Sequence, residues 1–194
     1  MDKKLPVYEM VIDEDQEALV YKTSFVKDPA FMRSFMAFSK QSKIHFEADD
    51  EQMVVTGPML VPGLPIYRRE ETGDEFYVTI NAANVRKAAF AYLKKGFATA
   101  VNVEHSQDVA GVFMVESFII DEKRGISTPQ GFDKQPEGTW FASFKVDNPD
   151  VWAKVKSGEF TGFSIEGLFD LQKITNSPES QLQQVIDIIN QAEK

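Results

Sequence analysis

The sequence predicts a strand-rich α+β domain carrying a separable C-terminal helix. Two observations carry that prediction. Most apolar residues fall in short runs rich in Val, Ile, Phe and Tyr, bounded by Gly, Pro and Asp, which is the patterning of strands. Far fewer stretches combine helical spacing with recognisable caps. A third observation sets the boundary. Thr175-Asn176-Ser177-Pro178 reads as a linker, so residues 1–174 form one domain and residues 175–194 form the linker and final helix.

The elements follow in order. Val7-Tyr8-Glu9-Met10-Val11-Ile12 reads as a strand, Asp13-Glu14-Asp15-Gln16 as a turn and residues 18–25 as a returning strand, which together predict an N-terminal hairpin. Asp28-Pro29 opens a helix over residues 30–38, where Phe31, Phe35 and Phe38 share a face best explained as core packing. Ile44-His45-Phe46-Glu47 is a short strand before the acidic turn Asp49-Asp50-Glu51. Residues 53–61 form a strand broken by Gly57-Pro58, and Pro62-Gly63 turns the chain. Ile66-Tyr67-Arg68-Arg69 and Phe76-Tyr77-Val78-Thr79-Ile80 flank a Glu-Glu-Thr-Gly-Asp turn and pair as a hairpin.

Asn81 or Asn84 caps a helix through Leu93, which ends at Lys94-Lys95-Gly96. Residues 97–104 form a strand, 106–108 a turn and 112–120 a strongly apolar strand. A loop rich in Gly, Pro and charge spans residues 121–138. Residues 140–146 alternate, with Trp140, Ala142, Phe144 and Val146 on one side. Asn148-Pro149-Asp150 starts a short helix to Lys156, stopped by Ser157-Gly158-Glu159, and residues 160–171 give the last strand. Ser177 caps the final helix with Pro178 at its first position, and Leu182, Val185, Ile186 and Ile189 form its apolar stripe. That stripe is expected to pack on another chain.

Composition narrows the function. The chain has 194 residues and 43% hydrophobic content, enough for one domain with its own core. A net charge of −9 argues against nucleic acid as a partner, which would need clustered Lys and Arg, and suits docking on a basic protein surface. The absence of cysteine excludes disulfides, thiolate metal sites and a cysteine nucleophile. Met1-Asp2-Lys3-Lys4-Leu5-Pro6 lacks a signal-peptide core, and no apolar run approaches the ~18 residues of a membrane span. The expectation is a soluble, intracellular protein with no membrane contact and no cofactor.

Two segments look catalytic. One of only two histidines, His105, ends the apolar run Ala100-Val101-Asn102-Val103-Glu104. Ser164 lies inside Gly162-Phe163-Ser164-Ile165-Glu166-Gly167. A serine hydroxyl is a poor nucleophile until a base takes its proton, and neutral imidazole does this near neutral pH. The flanks are not G-x-S-x-G, which argues against an α/β-hydrolase. The flanking glycines would allow a peptide to approach the backbone closely. The plain alternative is a strand serine beside a hydrogen-bonded histidine. His45 follows Lys43 in a polar context and reads as a surface histidine; His45, His105 and acids lack metal-ligand spacing, so no metal is expected.

A third residue should orient the imidazole. Glu116 interrupts an apolar strand and needs a partner, although a tight hairpin would hold it four or five rows from His105, roughly 13–17 Å. Glu166 shares a strand face with Ser164. Asp108 is near in sequence but on a turn. Each also reads plainly as a satisfied or solvated acid, and the position stays open between Glu116 and Glu166.

At these segments the chain resembles the phage prohead (capsid maturation) serine proteases, relatives of the herpesvirus assemblin fold. Asn102-Val103-Glu104-His105 followed by Val109-Ala110-Gly111-Val112 resembles the family's Asn-x-x-His and Gly-Val entry to the next strand. The Trp140 strand, the short helix around Trp152 and Gly162-Phe163-Ser164-Ile165 resemble its serine segment, and Val54-Val55-Thr56-Gly57-Pro58 to Ile66-Tyr67-Arg68 is similar too. The likeness covers most of residues 5–171. It implies a mostly antiparallel, β-barrel-like core with surrounding helices, with Ser164 as nucleophile and His105 as general base. It further implies a serine endopeptidase inside the procapsid or virion head, in the cytoplasm of the infected bacterium. There it would cleave scaffold, other procapsid proteins and itself, with scaffold, major capsid protein and portal as partners, and as a homo-oligomer. Where assemblin-like enzymes draw a third member from a strand after the serine, this chain offers only Asp170, the linker and the helix. The second reading is a non-catalytic head-assembly protein, scaffold or packaged cargo, that keeps the fold; the third is an unrelated strand-rich binding module. A structural role would require neither His105 nor Ser164.

Overall fold

The computed structural model describes residues 5–12, 19–27, 47–49, 52–69 and 72–174. The turn expected at 13–16, the helix at 30–38, His45, and the linker and helix at 175–194 lie outside the described residues.

Among the described residues twelve strands and two α-helices follow one another in the order β1 (Val7–Val11), β2 (Val20–Val26), β3 (Glu47–Asp49), β4 (Val54–Leu60), β5 (Ile66–Arg69), β6 (Glu75–Thr79), α1 (Ala82–Lys94), β7 (Val101–Val103), β8 (Gln107–Asp108), β9 (Val112–Ile119), β10 (Trp140–Val146), α2 (Pro149–Lys156), β11 (Gly162–Gly167) and β12 (Asp170–Lys173). They form three four-stranded sheets, ordered β12-β1-β6-β5, β3-β4-β10-β9 and β11-β2-β7-β8. The class is α+β, as expected, and most ladders are antiparallel. The exceptions are β1 with β6 and β2 with β7, which are parallel.

Several expectations need correction. The expected barrel does not close among the described residues: the sheets are open, and β11 packs beside β4 without a ladder. Pro58 of β4 has no N–H to donate to a further ladder. The strand is nevertheless continuous through Gly57-Pro58 and was not broken as predicted. Among the described residues β1 and β2 do not pair as the expected N-terminal hairpin. β1 joins β12 and β6 while β2 joins β11 and β7, so each half finds its partners far along the chain. The predicted strand at 97–104 begins with a 3₁₀ turn at Phe97–Thr99, and the last predicted strand divides at Leu168-Phe169 into β11 and β12, in different sheets.

Both helices start where the sequence supplies a cap. Asn81 Oδ1 accepts the Asn84 N–H at 2.8 Å, and Asn148 Oδ1 accepts from Asp150 and Val151 ahead of α2, with Pro149 at its first position. Tyr92 of α1 lies edge-on to Trp140 at 5.5 Å, and burial pushes its phenol up to about 12. Its hydroxyl shares a 3.1 Å hydrogen bond with Thr23, which ties α1 to β2.

β10 is the spine of the core: Trp140, Phe141, Ala142 and Phe144 are all fully buried, on both faces of the strand. Phe25 of β2 meets Phe144 at 5.7 Å and Phe163 of β11 at 5.1 Å, and Phe144 meets Phe163 at 4.9 Å. Such ring pairs contribute about 0.5–1.5 kcal/mol each beyond their burial. This cluster clamps β2 and β11 against the core one residue from Ser164.

Candidate active site

The sheet β11-β2-β7-β8 has two chemically opposite faces. Its register sets Phe163 against Phe25 and Phe25 against Val103, and these residues face the core. One step along, Ser164 lies opposite Ser24 and Ser24 beside Asn102. Directly opposed residues share a face and alternate residues switch faces, so those three form a polar row across three strands. Glu166 follows on the same face, opposite Lys22.

His105 reaches that face through a strained turn. Glu104 and His105 have φ of +50° and +54°, a left-handed conformation costly for residues with a Cβ, on the order of 1–3 kcal/mol each. The turn is held by four backbone donors. Glu104 N–H donates to the Phe25 carbonyl at 3.0 Å, His105 N–H to Ser24 Oγ at 2.8 Å, Ser106 N–H to the Val103 carbonyl at 3.1 Å and Lys27 N–H to Glu104 Oε1 at 2.7 Å.

The side chains close a ring of hydrogen bonds that begins and ends on His105. Its backbone N–H donates to Ser24 Oγ, Ser24 Oγ donates to Asn102 Oδ1, and Asn102 Nδ2 donates to Glu166 Oε1 at 2.5 Å. The same Glu166 oxygen lies 3.0 Å from His105 Nδ1. Ser24 and Asn102 are buried, whereas the imidazole is 41% exposed. An ionised carboxylate only accepts, so the proton of a neutral imidazole sits on Nδ1 and Nε2 keeps its lone pair. Lys22 is engaged elsewhere: its ammonium binds Asp108 at 2.7 Å, and that hydrogen bond raises its pKa. Asp108 is therefore tied to Lys22 and not to the imidazole.

Ser164 is 8% exposed and lines one open pocket of about 570 Å³ together with His105 and Glu166. Among the described residues its Oγ makes no hydrogen bond. The structure thus gathers Ser164, His105 and Glu166 around one pocket but forms no bond between Ser164 and the imidazole. Glu116 is elsewhere. On β9 it accepts from Ser143 Oγ at 2.5 Å, and Ser143 shares a 2.8 Å bond with Thr56. The close approach at Gly167 is intramolecular, since a Cβ there would lie 2.6 Å from the Leu19 carbonyl and 2.5 Å from the Phe169 ring. Among the described residues no three His, Asp or Glu side chains are grouped to hold a metal, and no helix is long and apolar enough to cross a membrane.

Sequence reasoning gave Ser24 no part in the site and assigned Asn102 no function. Ser24 carries a weak signal, a serine one position before a core phenylalanine in an apolar strand. Its partners could not be read, because the predicted hairpin gave β2 the wrong neighbour.

A family model described as "Putative phage serine protease XkdF" matches residues 41–173, a span that holds His105, Ser164 and Glu166 and begins after Ser24. The chain is 28% identical over 148 residues to "Uncharacterized protein YqbD" of Bacillus subtilis (strain 168), covering 74% of this chain and 40% of that relative. The chain thus spans about two fifths of the length of the curated relative it matches. No solved structure matches the chain significantly. These matches do not show the expected relationship to the assemblin fold.

Proposed function

The chain belongs to the XkdF phage serine-protease family, and from that premise we propose that it is a serine endopeptidase of phage head maturation. The observation that supports this most is the Glu166–His105 contact on the polar face that also carries Ser164. In this reading Glu166 is the third member: it orients the imidazole and stabilises the imidazolium that forms during reaction. His105 Nε2 takes the proton of Ser164 Oγ as that oxygen attacks a peptide carbonyl. The tetrahedral intermediate then collapses, the protonated imidazole gives its proton to the leaving amine, and water releases the acyl group by the same route in reverse. Bringing Ser164 and His105 into contact requires movement of an imidazole that is already partly exposed, and catalytic bonds commonly tighten only when substrate is bound.

The open pocket that Ser164 lines with His105 and Glu166 offers room for a segment of a peptide substrate. The proposed substrates are scaffold and other procapsid proteins, with self-cleavage included, in the procapsid of the infected bacterium. Contacts with major capsid protein and portal, and homo-oligomerisation, belong to the same proposal.

The unbonded Ser164 hydroxyl favours one rival, a head-assembly protein that keeps the fold without the chemistry. The test is processing of co-expressed head proteins by the wild type, Ser164→Ala and His105→Ala. Both variants should fold with unchanged circular dichroism and lose cleavage by at least about 10³-fold. Normal processing by Ser164→Ala would overturn the protease reading.

A further inference from the structure

One arginine that lines the pocket of Ser164 has no counter-ion among the described residues. Arg68 stands two residues after Ile66 on β5, so alternation sends both side chains to the inner face of that strand. Ile66 is buried in the core. Arg68 lines the 570 Å³ pocket and also a neighbouring cavity of about 20 Å³, and Ser164 lines both. Its one hydrogen bond is a 3.3 Å contact with the carbonyl of Tyr67. Among the described residues no carboxylate pairs with it. Glu166, which lines the same pocket, is already held by His105 and Asn102.

A guanidinium does not shed its proton to escape burial. Arg68 is half-buried, and desolvation lowers its pKa, yet the group stays charged, and among the described residues no carboxylate offsets its burial. A carboxylate entering the pocket would supply the missing partner in the two-pronged geometry that guanidinium favours. The remaining walls suit an apolar peptide, with Met10, Phe76 and Phe169 inside and Leu168 and Leu171 exposed at the rim. In a chain of net charge −9 an acidic peptide gains no general attraction, so its recognition depends on a local cation.

From this geometry we infer that Arg68 determines specificity, by receiving a Glu or Asp side chain of the substrate within a residue or two of the scissile bond. The inference rests on the protease reading of the same pocket. It competes with a plainer role, since inward charges on edge strands also discourage sheet-to-sheet aggregation, and β5 is an edge strand.

Two measurements on the full chain separate these readings. In the first, wild type, Arg68→Gln and Arg68→Glu digest a bacterial-proteome peptide library, with cleavage sites read by mass spectrometry. Wild type should favour Glu or Asp at one fixed position near the cut by roughly tenfold or more, since a charged pair is at stake. Arg68→Gln should flatten that preference, and Arg68→Glu should move it towards Lys and Arg. A profile unchanged in both variants, or a uniform fall at every site with the preference kept, overturns the inference. In the second, Ser164→Ala is titrated by NMR with acetyl-Ala-Leu-Glu-Ala-Ala-amide and its Gln twin. The Glu peptide should bind roughly tenfold tighter or better and shift the Arg68 Nε–H resonance, and Arg68→Gln should erase the difference. Equal binding of the two peptides overturns the inference even if the wild type cleaves the library. Selective binding without any cleavage leaves Arg68 as a carboxylate receptor and removes the protease reading.

Discussion

Among the described residues two serine–carboxylate networks stand out, and one of them includes a base. On the sheet β3-β4-β10-β9, Glu116 accepts from Ser143, which is bonded to Thr56. On the sheet β11-β2-β7-β8, Glu166 accepts from Asn102, which is bonded to Ser24. Each is a strand carboxylate satisfied by short polar side chains, and both glutamates are candidates on sequence. The difference is the turn between β7 and β8. It spends backbone strain at Glu104 and His105 to bring an imidazole to the second network, whereas the left-handed residue near the first, Met53, brings no base to it. A satisfied carboxylate in a sheet is therefore ordinary structure; the costly element beside it is what points to chemistry.

The largest test of that contrast is Glu166→Gln. The amide oxygen can still accept from Asn102 and from His105, so the fold should hold, but it carries no charge to stabilise an imidazolium. We expect kcat/KM to fall by on the order of 10²- to 10⁴-fold with little change in KM. Steady-state kinetics on a processed head-protein substrate checks this, and a loss below about threefold would leave the two networks equivalent.

How much of this was legible in the chain follows from which contacts are local. Both helix caps, the hairpin of β5 and β6, and the limits of β10 and α2 depend on neighbouring residues, and the structure keeps them. The pairing of β2 depends on residues 78 and 140 positions away, Asn102 and Ser164, and no local pattern encodes it. For that reason Glu166 could be placed on the face of Ser164 by alternation, since both lie on one strand. Ser24, which completes the ring from another strand, could not. The break at Leu168-Phe169 was hidden likewise, because Gly167 meets the Leu19 carbonyl only in the folded sheet.

A middle-sized effect is expected from Asn102→Ala. The side chain touches no substrate in the proposed reaction; it positions Glu166 and, through Ser24, the backbone of His105. Its loss strands the buried Ser24 hydroxyl and frees Glu166 to swing, so we expect a fall in kcat of about 10- to 100-fold. A merely structural role would lower stability alone. The distinguishing readout is the His105 imidazole by nitrogen NMR at fixed pH: in the wild type the proton should sit on Nδ1, and in Asn102→Ala the two tautomers should mix. An unchanged tautomer with unchanged kcat would remove Asn102 from the positioning ring.

The smallest effect on activity is expected at the other network, and it decides whether the contrast is real. Glu116→Ala removes the acceptor of the Ser143 hydroxyl, and Ser143 is fully buried. An orphaned buried donor would cost about 1–3 kcal/mol. Thr56 Oγ1, however, already lies 2.8 Å from Ser143 Oγ, in a bond where either oxygen can donate. The Ser143 proton can turn to it, and the half-exposed Thr56 can turn its own proton elsewhere. The cost should therefore stay near the low end, about 1 kcal/mol, which is a Tm fall of roughly 2–4 °C for a chain of this size. Because Glu116 takes no part in the ring that holds His105, kcat/KM should stay within about twofold of wild type. Differential scanning fluorimetry and the same kinetic assay measure both. A catalytic loss as deep as that of Glu166→Gln would mean that the two networks act on one site, and the assignment of Glu166 as the acid behind His105 would fail with it.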